Sequence, residues 1–411
     1  MKMYFRTGHI IRCIFLSLLI AACSGKKETR TYLISDITII DVENGSLHEH
    51  QYLSISGERI MKISATPIPV TDSTLIVNGK GKFLIPGLWD MHEHYFWNQK
   101  NSTPRGRAYC RTGIREMFGD MEIIQQIRDS ANRKLLIAPE IISSGAIIDG
   151  VPASWEGSDT LSIPSRAKTI VSKQLKEGVD FLKVYSNLNR ECYTAIAKEA
   201  NKNQIPFAGH VPTDVTIWEA IDLKQRSIEH LYGIMEACSN DQAKLHRFKR
   251  ADEFTVEKMS FLMSTFNETT FDSLCGRLKN SETWVCPTLT VLRSLSYLND
   301  PALKNDERLK YIPPYLLDIW KSYPVASGNY YTCAQQLFKF QQRLVGKMQK
   351  AGVRILAGTD SPNPYCFPGF SLHDELFLMT EGGMSSHEAL KAATLNPALF
   401  LHREKDYGAI A

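Results

Sequence analysis

Between residues 31 and 86 the chain alternates apolar and polar positions with a period of two. The runs TYLISDITIIDV, YLSISGERIMKIS and STLIVNGKGKFLIP are separated by Gly and Asn turns, which predicts short strands. After Pro86-Gly87 the texture changes. Apolar runs now stand at 87–94, 113–118, 134–145, 179–185, 205–211, 226–233, 283–292 and 353–360. Between several of them lie amphipathic helical stretches such as DMEIIQQIRDSANR, PSRAKTIVSKQLKEG and RECYTAIAKEANKN. Eight strand–helix units predict an α/β fold, a (β/α)8 TIM barrel. A doubly wound sheet is the competing architecture. The barrel is preferred because polar residues gather at the C-terminal ends of the runs, where barrels build their sites. About fifty residues separate His230 from Trp284, and about seventy separate Thr290 from Asp360, longer than ordinary connections. We read both as elaborated loops over the mouth of a site.

The first thirty residues follow another pattern. A basic segment, MKMYFRTGHIIR, precedes an apolar stretch, CIFLSLLIAA, of about ten residues, too short to span a bilayer comfortably. The stretch ends Ile20-Ala21-Ala22-Cys23, which resembles the lipobox of bacterial lipoproteins. That resemblance implies a signal peptide over 1–22, a lipid on the Cys23 thiol and a polar tether over 23–30. The expected address is the bacterial cell envelope, on the periplasmic side of the outer membrane, since Ser24 rather than Asp follows the cysteine. A plain signal peptide or a membrane anchor is the alternative.

Composition narrows the classes. Hydrophobic residues make up 43%, charged residues 22%, and the net charge is +4, an ordinary globular profile without long Lys/Arg runs; a nucleic-acid partner is not suggested. Of nine cysteines, seven lie beyond Cys13 and Cys23, and no C-x-x-C pair occurs, which argues against a cysteine zinc site. Either disulfides or free buried thiols fit this spacing.

The candidate chemistry starts in FLIPGLWDMHEHYFW, residues 83–97. In a strand, His92 and His94 share a face and could hold one metal ion together. Lys183 stands within the apolar run FLKVY, where burial lowers an amine's pKa and frees it as a nucleophile. Such an amine can capture carbon dioxide, and the resulting carbamate can bridge two metal ions. His210 ends IPFAGHV, His230 ends RSIEHLYG, and Asp360 ends VRILAGTD. A lone histidine on a strand is usually structural; four, with a lysine and an aspartate at successive strand ends, point to a metal centre. Arg115 and Glu116 read as a pair at the barrel rim, and His373 and Glu375 as a cap or buttress. Glu93 points away from the metal by alternation. His48, His50, His246, His387 and His402 read as surface residues.

These motifs, with GVDFLKVY, SLHDEL and ALKAATLNPALFL, resemble the metal-dependent amidohydrolase superfamily, in the group of imidazolonepropionase-like and prolidase-like enzymes. The resemblance covers nearly everything from Thr31 onward. It implies that residues 31–86 are the N-terminal part of a β-sandwich and that 87–400 form the barrel. It also implies that 401–411 are the start of a returning sandwich segment that stops early, leaving the sandwich incomplete. By the same resemblance His92 and His94 bind the more buried of two divalent ions, expected to be Zn²⁺, and His210 and His230 bind the second. Lys183 bridges them as a carbamate, formed with carbon dioxide. Asp360 is a ligand that also takes a proton from the attacking water. Tyr185 and Tyr232, each two residues beyond a ligand, share its strand face and are candidate substrate contacts; packing is the plainer alternative. The implied function is hydrolysis of a C–N bond in a small linear or cyclic amide. A lactone or organophosphorus ester hydrolase is the first alternative, and a catalytically silent ligand- or metal-binding lipoprotein the second. The expected partners are a small-molecule substrate and, through the lipid, a membrane; an oligomer is left open.

Overall fold

The computed structural model describes residues 30–95, 111–248 and 254–411. Cys23 and the rest of the N-terminal segment lie outside the described residues. The chain divides into two units, residues 46–85 with the strand before Asp41, and residues 86–410 with Val42–Gly45.

The smaller unit is a sheet of β1 (Thr31–Ile40), β2 (Leu47–Ser56), β3 (Arg59–Ser64), β4 (Leu75–Asn78) and β5 (Phe83–Leu84). Its order is β3-β2-β1-β4, with β5 also on β1. The period-two pattern leaves Leu33, Ile37 and Ile39 of β1 and Leu53 of β2 buried, with Leu53 opposite Ile34 in the register. In contrast, Leu75, Ile76, Val77 and Phe83 are exposed.

The larger unit is a (β/α)8 barrel. In ring order its strands are β6 (Trp89–Glu93), β7 (Gly113–Glu116), β8 (Glu140–Ser143) continued by β9 (Ile147–Asp149), with the short β10 (Asp159–Thr160) beside β9, then β11 (Leu182–Val184), β12 (Phe207–Gly209), β13 (Ser227–Glu229) and, seventh, β14 (Trp284–Cys286). All neighbours are parallel. They form a ladder β6-β7-β8 and a ladder β10-β9-β11-β12-β13-β14. The ladders join where Asp180 N donates to Ser143 O at 2.8 Å. On the other side the segment 353–361 closes the ring: Leu356 N donates to Val285 O (2.9 Å) and Met91 N to Ala357 O (2.8 Å). Strands so fully buried need continuous apolar sequence, which is why most of the apolar runs contain a strand.

Two readings change here. The run 283–292 is not one strand. It stops at Cys286, Pro287 interrupts it, Thr288 adopts a left-handed conformation (φ 49°), and a helix spans Leu289–Ser296. The run 353–360 pairs regularly only at Ile355 and otherwise holds its place by single backbone hydrogen bonds. Residues 401–410 group with the barrel unit and Ala411 with the smaller one. Arg403 pairs with Glu140 and Tyr407 packs edge-on against Trp89 at 5.9 Å.

The helices begin where the sequence supplies caps. Asp120, Asn189 and Thr216 each accept a backbone N–H of the first turn, Thr216 with Glu219 in a capping box. The two long connections are largely helical, with Val256–Ser264 and Glu268–Lys279 in the first and Pro314–Ser322 and Tyr330–Lys350 in the second. Six described cysteines, Cys192, Cys238, Cys275, Cys286, Cys333 and Cys366, are free and buried. Among the described residues no helix is long and apolar enough to cross a membrane.

Candidate metal centre

All six ligand-type residues stand at C-terminal strand ends. His92 and His94 come from the end of β6, Lys183 from β11, His210 directly after β12, His230 directly after β13, and Asp360 from the closing segment. The backbone is bent to bring them there. His230 and Asp360 both hold φ of 57°, a left-handed conformation that costs free energy in non-glycine residues and gathers at functional sites. Gly209, just before His210, has φ 129°, and a Cβ there would come within 2.2 Å of Val184 O. Only glycine lets β12 lie close enough to β11 at this level.

His92 is wholly buried. Its Nδ1 lies 2.7 Å from Glu229 Oε2. An ionised carboxylate only accepts, so the ring proton sits on Nδ1 and Nε2 carries the lone pair. That Nε2 is buried without a hydrogen bond, 3.4 Å from Asp360 Oδ1. His94 Nε2 lies 3.1 Å from the same oxygen. The His230 ring centre is 4.6 Å from that of His92. His230 Nδ1 lies 2.6 Å from Thr288 Oγ1, whose own proton goes to Pro287 O at 2.8 Å. Thr288 therefore accepts from Nδ1–H, and Nε2 of His230 is likewise left basic. His210 Nδ1 lies 2.6 Å from Ser186 Oγ, and its ring stacks on Tyr185 at 3.9 Å and meets His230 at 4.9 Å.

Burial fixes the protonation states. It lowers the pKa of His92, His94 and His230, the last to about 4, so the imidazoles are neutral near pH 7. Burial pushes Asp360 up, but His230, His94 and Lys183 outweigh it and hold the carboxyl below its usual range. Lys183, wholly enclosed, is lowered by burial to about 8, against the pull of Asp360, Glu229 and Glu116. Its Nζ sits 5.4 Å from the centre of the Tyr185 ring.

This donor set fits a divalent ion. One ligand atom from each of His92, His230 and Asp360 lies within 4.8 Å of the others, two neutral imidazoles and one carboxylate. The buried, unbonded Nε2 of His92 would be satisfied by such an ion and is costly without it. A second close trio, His92, Glu229 and Cys286, fits poorly. Arg115 already neutralises Glu229, and burial pushes the Cys286 thiol well above its usual pKa.

Arg115 and His387 had been read differently. Arg115 is not at the rim with Glu116. It is wholly buried, and its NH2 donates to both oxygens of Glu229 (2.8 and 3.0 Å), NH1 to Ser227 Oγ (2.7 Å) and Nε to Met91 O (2.6 Å). Glu229 had not been singled out. Two opposite charges inside apolar strands, GIREMF and RSIEHLYG, each demand a partner, and that demand was the available signal. Glu93 faces away from the histidines and is buried against Arg111. Glu375 acts as the expected buttress, accepting Leu289 N, Thr290 N and Thr290 Oγ1 at 2.7–2.9 Å. His387 is half-buried rather than on the surface, hydrogen-bonded to Val42 O at 2.9 Å.

The centre opens into a cavity of about 440 Å³, lined by His94, Lys183, Tyr185, His210, His230, Tyr232 and Asp360 at its base. Tyr185 and Tyr232 both reach it. Tyr185 Oη accepts Trp155 Nε1 at 2.8 Å, and Tyr232 packs 4.5 Å from the His210 ring. A larger cavity of about 740 Å³ also touches Tyr232 but includes none of the six ligand-type residues. The chemistry therefore belongs to the smaller one. The long connections supply much of its wall, as expected of loops over a barrel mouth.

No curated protein sequence matches the chain. Solved structures do. Bottromycin amidohydrolase superposes with a TM-score of 0.68 at 21% identity, covering 92% of this chain and 79% of that one. An Xaa-Pro dipeptidase with bound methionine gives 0.62 at 18%, covering 93% and 91%. Molinate hydrolase gives 0.63 at 17%, covering 93% and 88%. At these identities the likeness concerns the fold. Residues 83–411 match the model of the amidohydrolase family, most of the chain, and the protein therefore belongs to the amidohydrolase family.

Proposed function

We propose that this amidohydrolase cleaves the C–N bond of a small linear or cyclic amide with two divalent metal ions, Zn²⁺ by donor type. His92, His94 and Asp360 would hold one ion and His210 and His230 the other, with Lys183 between them as a carbamate. The observation that supports this reading is the convergence of His92 Nε2 (3.4 Å) and His94 Nε2 (3.1 Å) on Asp360 Oδ1, with His230 on the side of Oδ2 and the buried Nε2 of His92 turned into the group. Bound ions in such a site polarise a carbonyl and bring the pKa of water toward neutrality.

The chain's own residues divide the remaining work. Asp360, ionised and beside both β6 histidines, is placed to accept a proton at Oδ1 and return it to the leaving nitrogen. Glu229 and Thr288 fix the tautomers of His92 and His230, so that each keeps Nε2 basic. Tyr185 and Tyr232 border the cavity floor, where a hydroxyl can steady an oxyanion or a substrate carboxylate. The same arrangement would also serve a lactone or phosphotriester. The amide reading is favoured because the family supports C–N bond hydrolysis.

We further propose that Cys23 carries a lipid that ties the enzyme to the cell envelope, on the motif IAAC. Reconstitution with Zn²⁺ followed by elemental analysis should give about two ions per chain and hydrolysis of simple amides or dipeptides. A protein that retains no transition metal would remove the enzyme reading; one that is loaded yet cleaves esters or lactones and no amide would shift it to the alternative.

A further inference from the structure

We propose that the substrate carries a large apolar group, an alkyl chain or aryl ring, next to the scissile bond. This inference rests on the amide-hydrolase reading of the same site. The cavity of about 440 Å³ is asymmetric in its chemistry. Its floor holds the histidines, Lys183 and Asp360. Its wall is made by three helices, Val256–Ser264, Leu289–Ser296 and Tyr330–Lys350, which turn Met259, Leu262, Leu292, Leu295, Tyr330 and Leu337 toward it.

These side chains are well supported from behind. Met259 packs with Cys333 and Ala334, with Leu337 and Tyr330 against that cluster. Leu295 and Tyr330 pack against a second cluster built on Leu298, Trp320 and Phe367. Leu292, Leu295 and Leu337 nevertheless remain only partly buried, so their apolar surface is offered to the cavity. Covering that surface with another apolar group is favourable in proportion to the area removed from water. Beyond Lys183 and Asp360, Glu236 is the charged side chain that lines the cavity among the described residues, and it is paired with Lys258 at 3.3 Å. The wall thus favours a hydrocarbon over a charged substituent. The volume suits a compact ligand of drug-like size rather than a long peptide.

Two measurements on the metal-loaded full chain test this. The first is calorimetric binding of straight-chain alkylphosphonates, from methyl to decyl, whose head groups are identical and whose tails differ. Affinity should rise about four-fold per methylene, the equivalent of about 0.8 kcal/mol, and level off once the cavity is full. The second is kcat/KM for two amide series, N-acylglycines and N-alkylacetamides, set against charged dipeptides such as Gly-Asp; at least one apolar series should climb in the same way. Leu295→Arg and, independently, Leu337→Gln should flatten the dependence on tail length, so that decylphosphonate gains little over methylphosphonate on the same variant. Binding that is flat with tail length, or kcat/KM as high for Gly-Asp as for the longest amides, overturns the inference while the hydrolase reading stands. Affinity that climbs with tail length in a protein that cleaves no amide removes the hydrolase reading and leaves the apolar site.

Discussion

Glu229 Oε2 stands 2.7 Å from Nδ1 of His92, and both side chains are wholly buried. Arg115 grips the far side of the same carboxylate. The three form a chain that ends on the basic Nε2 of His92, so the carboxylate sets which nitrogen faces Asp360. Glu229→Gln keeps the shape but can present an amide N–H₂ to the imidazole, which permits the wrong tautomer. We expect metal affinity to fall about 10- to 100-fold. Competition with a chromogenic chelator reads this directly, without substrate. Unchanged affinity in a folded Glu229→Gln protein would show that the tautomer is set elsewhere.

Lys183 should govern the second ion. An ammonium at this position would repel metal cations in a poorly solvated site. Lys183→Ala is therefore expected to bind close to one ion and lose most activity, while melting near the parent temperature. Acetate or propionate should restore part of both by standing where the carbamate would. The pH dependence follows from the lowered pKa. With the amine at about 8 instead of 10.5, the neutral form able to take up carbon dioxide grows as pH rises through 8. Metal uptake by apo-protein in bicarbonate should accelerate over that interval, and omitting bicarbonate should slow it. Two ions and full turnover in Lys183→Ala without added acid would make Lys183 structural.

Much of this centre was legible because each ligand-type residue interrupts an apolar strand, and a polar group there needs a reason. The barrel was legible for the same reason, since buried parallel strands leave continuous apolar runs. What sequence spacing could not convey was pairing across the barrel. Arg115 and Glu229 are 114 positions apart and meet only once the ring closes. The end of the seventh strand was misjudged because CPTLTVL is as apolar as a strand. Its fate turned on Pro287 and the left-handed Thr288, a conformation that placed a hydroxyl on His230.

The proposed anchor has its own test. Cys23 follows Ile20-Ala21-Ala22, so Cys23→Ser should yield a protein that takes up no palmitate analogue in cells and runs at a different mass. Label retained on the variant would place the lipid elsewhere or dismiss the motif.

The last prediction concerns Glu375, a wholly buried carboxyl that holds the turn following the seventh strand. It accepts Leu289 N at 2.9 Å, Thr290 N at 2.7 Å and Thr290 Oγ1 at 2.8 Å. This fastens the start of the helix Leu289–Ser296, next to Thr288, whose hydroxyl accepts from His230 Nδ1. Burial raises its pKa to about 8, while the three hydrogen bonds pull the other way and Asp90 adds to the rise. The folded state thus retains a proton that an unfolded carboxyl near 4.5 gives up. Stability from this group is complete below about pH 4.5 and declines as pH climbs to about 8. Glu375→Gln cannot titrate, and its amide turns donors toward one backbone N–H, at a cost of about 1–3 kcal/mol. The variant should therefore be clearly weaker than the parent at pH 5, and the gap should narrow by pH 8. Urea midpoints of metal-free parent and variant at both pH values read the difference, in which the titrating histidines common to both proteins cancel. A gap that is the same at pH 5 and pH 8 would mean that Glu375 is ionised throughout, held by its three donors against the cost of burial.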